Sequence, residues 1–150
     1  MEIHIVLRQI EQWVKDPGLS TEEVLQNTVE ALQLACKYYH WVGIYQLQGN
    51  TLVLGPYVGR YTDHIRIPVG VGVCGTAVAK NENQIVDDVR ERSNYIACSL
   101  ETRAEIVVLI RDGDRILGQI DIDSDIPHAF TSEDEQFLNQ VADLLKDRLL

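Results

Sequence analysis

Glu105-Ile-Val-Val-Leu-Ile-Arg-Asp-Gly-Asp-Arg-Ile-Leu-Gly-Gln-Ile-Asp-Ile-Asp123 holds two strands and the turn between them. Both arms are rich in β-branched residues, and an Asp-Gly dipeptide between such arms is a strong hairpin signal. The sheet is therefore expected to be antiparallel. Counted outward from Gly113, Glu105 and Asp121 each lie eight residues away. Asp121 and Asp123 are two positions apart and share a face, so the three carboxylates are expected to meet at one end of the sheet. Acids in strands are unfavourable unless they are solvated or functional, which leaves two readings: an exposed sheet edge or a site.

Upstream, the period is again that of a strand from Trp41, where Trp41, Gly43, Tyr45 and Leu47 alternate with Val42, Ile44 and Gln46. Gln48-Gly49-Asn50 can turn the chain into Thr51–Leu54 and make a second hairpin. Before it, Ile3, Val6, Leu7, Ile10 and Val14 recur at helical spacing and stop at Asp16-Pro17-Gly18. Ser20 with Glu23 makes a capping box ahead of Leu25, Val29, Leu32 and Cys36, which assigns Cys36 to the core. At the other end, Thr131 with Asp134 and Ser132 with Glu135 both have capping-box spacing ahead of Phe137, Leu138, Val141, Leu144 and Leu145. Helices thus bracket a central sheet. Hairpins and helices in separate runs favour an α+β layered domain over a doubly wound one.

At 150 residues the chain has the length of one domain, read as spanning 1–150. A net charge of −10 argues against nucleic-acid partners, which need a basic surface. There is no apolar run of about 18 residues and no leader-like N-terminus, so a cytoplasmic location is expected. Cys36, Cys74 and Cys98 are odd in number and widely spaced, unlike a disulfide framework or a zinc knuckle. His40, His64 and His128 form no ligand pair with them, and no metal is expected.

Two of the cysteines invite chemistry. Gly70-Val-Gly-Val-Cys-Gly-Thr-Ala-Val-Ala79 reads as a glycine-rich entry into a short helix, which places Cys74 near free N–H groups that favour a thiolate. The other reading packs Cys74 beneath a tight turn. The loop lacks both the G-x-G-x-x-G spacing and the Walker lysine of nucleotide sites. Cys98 falls in a stretch, Asp87 to Ala104, with no regular period. A loop cysteine is either reactive or simply buried.

The motifs Trp41-x-Gly-x-Tyr45, Leu52-Val-Leu-Gly-Pro56, Arg66-Ile-Pro-x-Gly-x-Gly-Val-Cys-Gly-Thr-Ala77, Ile96-Ala-Cys98, Glu105-Ile-Val107 and Asp121-Ile-Asp-Ser124, in that order, resemble the free methionine-(R)-sulfoxide reductases, which are stand-alone GAF domains. The resemblance runs from about Trp41 to the terminal helix. It implies a GAF-like fold in which Cys98 is the nucleophile, Glu105, Asp121 and Asp123 hold the substrate, and Trp41 and Tyr45 wall its methyl-sulfinyl end. A carboxylic acid or its bridging water would protonate the departing oxygen. The resemblance also implies a second cysteine just before Arg66-Ile-Pro68, where this chain has none. Cys74, or an external thiol reductant such as thioredoxin, is left to resolve Cys98. No bound cofactor is implied, and a homodimer is compatible. The competing reading is a non-catalytic GAF sensory domain that binds a small metabolite.

Overall fold

The computed structural model describes residues 2–91 and 101–150. Helices α1 (Ile3–Lys15) and α2 (Thr21–Ala35) lead into strands β1 (Trp41–Gln48), β2 (Thr51–Val58) and β3 (Arg66–Pro68). Helix α3 (Gly72–Lys80), strand β4 (Gln84–Val86), strands β5 (Ala104–Asp112) and β6 (Arg115–Ser124), and helix α4 (Ser132–Leu149) follow. The strands form one antiparallel sheet of order β3-β2-β1-β6-β5-β4, as an α+β layered fold requires.

The caps form where the sequence places them. The Ser20 side chain accepts from the Glu23 N–H while Glu23 accepts from the Ser20 N–H. At α4, Thr131 with Asp134 makes the box. Asp134 also accepts from the hydroxyls of Tyr38 and Tyr39, at 2.8 and 2.7 Å, and this ties the cap to the start of β1.

Strand alternation divides the sheet into two unlike faces. On one, Val42, Ile44, Ile106, Val108, Ile110, Ile120 and Ile122 pack with the apolar stripes of α1, α2 and α4 into the main core, Cys36 included. The other face carries Trp41, Tyr45, Val107 and Leu109, and it is covered by α3 and the β3 strand in a smaller core. The polar members of this second face, Glu105, Gln119, Asp121 and Asp123, are thereby enclosed.

The β5–β6 register differs from the count made outward from Gly113. Asp112 pairs with Arg115 and Arg111 with Ile116, but Ile110 pairs with Gly118. The two-residue turn and the irregularity at Ile110/Arg111 together displace the ladder, so Asp123, not Asp121, stands opposite Glu105. Gly118 is required beside this irregularity, because a Cβ there would lie 2.2 Å from the Tyr45 carbonyl oxygen.

Candidate functional site

Strand β6 is central, with β1 on one side and β5 on the other, and its register places the acids. Asp123 lies between Trp41 and Glu105, and Asp121 between Gly43 and Val107. The solvated-edge reading therefore fails: Glu105 is 4 % exposed and Asp121 and Asp123 are 1 % each. Helix α3 covers them from above. It can sit this close because Gly75 lacks a side chain; a Cβ there would approach the Pro68 carbonyl oxygen to 2.5 Å.

Cys74, the third residue of α3, points down onto the acids, with its Sγ 3.8 Å from Glu105 Oε2. Of the two readings of Cys74, the thiol packed beneath the turn holds and the thiolate does not. Burial first, and then the charges of Asp121, Glu105 and Asp123, push its thiol well above the ordinary range. These effects outweigh the helix terminus, because a short helix offers only a fractional charge. Burial likewise raises Glu105, reinforced by the charges of Asp121 and Asp123 and by hydrogen bonds to both. Burial also raises Asp121, opposed by hydrogen bonds from Glu105 and Cys74. Both carboxyls are thus pushed toward their protonated forms, Glu105 the further.

Cys74, Glu105 and Asp121 line one cavity together with Tyr45, His64, Ile67, Val71, Gly72 and Val73. Its free volume is ≈ 10 Å³, about the room of one water molecule. Among the described residues, Asp121 Oδ1 and Gln119 Oε1 are buried without a hydrogen-bond partner. The other end of the Gln119 amide donates to the Cys74 carbonyl at 3.1 Å and so fixes α3 over the strands. Tyr45 donates to the His64 carbonyl at 2.8 Å, holding the β2–β3 connection against the cavity.

Trp41 and Asp123 share the acid-bearing face but do not line this cavity. The Trp41 indole stacks on Tyr57 at 5.4 Å and donates to the Arg60 carbonyl. It lies across Gly43, where a Cβ would meet the ring at 2.3 Å. Cys98 lies outside the described residues. Downstream of it, Glu101 pairs with Arg60, and Arg103 pairs with Asp88 at 2.7 Å.

The sequence reading missed Gln119 and His64. Gln119 continues the two-residue spacing of Asp121 and Asp123 and could have been found from it. His64 carries no such signal. Metal ligands were sought among the histidines and cysteines, yet among the described residues the group whose ligand atoms lie within 4.8 Å of one another is Cys74, Glu105 and Asp121.

Comparison with known proteins adds a family to this geometry. The GAF domain family matches residues 20–149. Free methionine-R-sulfoxide reductase of Escherichia coli is 44% identical over 117 residues, 78% of this chain and 70% of that enzyme. The free methionine-R-sulfoxide reductase of Neisseria meningitidis, solved in complex with its substrate, superposes with a TM-score of 0.90 at 37% identity, over 98% of this chain and 87% of that one. The type II free methionine-R-sulfoxide reductase of Thermoplasma acidophilum superposes with a TM-score of 0.84 at 36% identity, over 93% and 94%.

Proposed function

This chain belongs to the GAF domain family, among the relatives of the free methionine-R-sulfoxide reductases, and from that premise we propose that it reduces free L-methionine-(R)-sulfoxide to methionine. The observation that carries the reading is the enclosed acid group: Glu105, Asp121 and Asp123 are buried together on one face of β5 and β6. A proton donor and an anionic partner for an α-ammonium are both needed to reduce a free amino-acid sulfoxide.

In this mechanism the Cys98 thiolate attacks the sulfoxide sulfur. The S–O bond breaks as Glu105, directly or through a water, delivers a proton to the oxygen. The hydroxide so released attacks the Cys98 sulfur, the bond between Cys98 and the methionine sulfur breaks, methionine leaves with its sulfur reduced, and Cys98 is left as a sulfenic acid. Asp121 and Asp123 hold the α-ammonium, which a peptide-bonded methionine lacks. Trp41 and Tyr45 bound the methyl-sulfinyl end. The Cys74 thiol then attacks the sulfenic acid, water departs, and the resulting disulfide is reduced by a dithiol of the thioredoxin class. The domain is taken to span 1–150 and to act in the reducing cytoplasm. Among the described residues no helix is long and apolar enough to cross a membrane. Exposed Ile5 and Leu34, on α1 and α2, are the surface proposed for a second copy.

The test is turnover of the separated R and S forms of free methionine sulfoxide with dithiothreitol as reductant. Wild type is expected to consume the R form, Cys98→Ser to consume neither, and Asp123→Asn to lose most of its turnover. Equal turnover by wild type and Cys98→Ser would overturn the mechanism.

A further inference from the structure

We propose that Cys74, Glu105 and Asp121 form a binding site for one divalent cation of the zinc class, whose occupancy closes the substrate cavity. The three side chains come from α3, β5 and β6, and each offers one ligand atom within 4.8 Å of the other two. Bonds of about 2.3 Å to sulfur and about 2.1 Å to oxygen set ligand–ligand edges of roughly 3.6 Å in a tetrahedral site. The Cys74–Glu105 separation of 3.8 Å is already close to that edge, and the Asp121 ligand atom lies within 4.8 Å of both.

A second, independent feature points to a ligand. Asp121 is 1 % exposed and lines the cavity, yet its Oδ1 has no hydrogen-bond partner among the described residues. The cavity's ≈ 10 Å³ matches a single ion or water and is far too small for an amino acid in this conformation. Donor chemistry selects the ion. One sulfur and two carboxylates are too few oxygens for Ca²⁺ and too soft for Mg²⁺, whereas mixed S/O sites with an open fourth position suit Zn²⁺ and its analogue Cd²⁺. The fourth ligand is water. The Gln119 amide fixes the backbone of Cys74 and orients the sulfur.

Binding replaces protons: the ion takes the Cys74 sulfur as the thiol proton leaves, and the carboxylic proton of Glu105 leaves with it. Affinity therefore rises with pH, up to tenfold per pH unit for each proton released. The inference deepens the reductase reading, since the ion occupies the groups assigned there to substrate and proton transfer.

The experiment uses the full chain with Cys98→Ser, so that a thiolate–cadmium charge-transfer band can come only from Cys74 or Cys36. In metal-free buffer this protein is expected to bind one equivalent of Cd²⁺ and to release it to Zn²⁺. Adding Cys74→Ser should abolish the band, and adding Asp121→Asn should weaken binding at least tenfold, with thermal melts confirming that each variant folds. If Asp121→Asn does not fold, Glu105→Gln replaces it with the same expected loss. No band, or one unchanged by Cys74→Ser or by the acid variant, overturns the proposal. Wild type that binds Cd²⁺ but shows no turnover in metal-free buffer overturns the reductase reading alone, and turnover without binding overturns the ion site alone.

Discussion

Glu105 shows what a single side chain in this site costs the fold. Burial beside two acids raises its pKa above the ordinary 4.5, so the folded state holds a proton that the unfolded state releases. The stability tied to that proton is complete below about pH 4.5 and is lost as pH rises through the folded value. Wild type is expected to lose up to about 1.4 kcal/mol per pH unit across that window. Glu105→Gln needs no proton and should melt higher than wild type at pH 8, melt equally near pH 4, and lose turnover; a pH series of thermal melts with parallel assays checks all three outcomes. The acids were legible because their two-residue spacing fixes their common face. The state of Cys74 was legible only as two alternatives, a thiolate or a packed thiol, since the burial that decides between them comes from β5 and β6, distant in sequence.

Helix α3 is seated by the absence of a side chain at Gly75 more than by its own propensity, since it has no side-chain cap. Gly75→Ala would drive a methyl into the Pro68 carbonyl, lifting α3 and the Cys74 sulfur from the acids. We expect a loss of about 2–4 kcal/mol and a fall in turnover larger than the stability loss explains, read from denaturant unfolding beside kcat. Thr131→Ala, by contrast, removes only a cap of α4 and should cost about 0.5–2 kcal/mol with turnover unchanged at a temperature where the variant is folded. Caps and hairpins were legible because each is encoded within a few residues. The β5–β6 register was not, because the Asp-Gly signal marks a turn without recording the irregularity at Ile110/Arg111.

Across the whole molecule, one residue reinforces the packing of α1 against α4. Arg148 in α4 donates to the carbonyls of Trp13, Val14, Asp16 and Leu19, closing α1 and its exit against the terminal helix. Arg148→Ala leaves those carbonyls without this donor and should free α1 while β1, β5 and β6 stay folded. Amide exchange checks this: faster exchange confined to residues 3–19 is expected, and uniform acceleration would mean that the sheet depends on the clasp. The layered class was legible from the pattern of runs, but the strand order that puts β6 between β1 and β5 depends on pairings between distant segments, which local signals do not carry. The unlike faces of β6 bear on how the protein reaches this state. A slip of one residue would turn Asp121 and Asp123 toward the greasy helices and lift Ile120 and Ile122 out of them. Misaligned intermediates are thus penalised as they form, and the side chains that weigh on the finished protein act as proofreaders of its assembly.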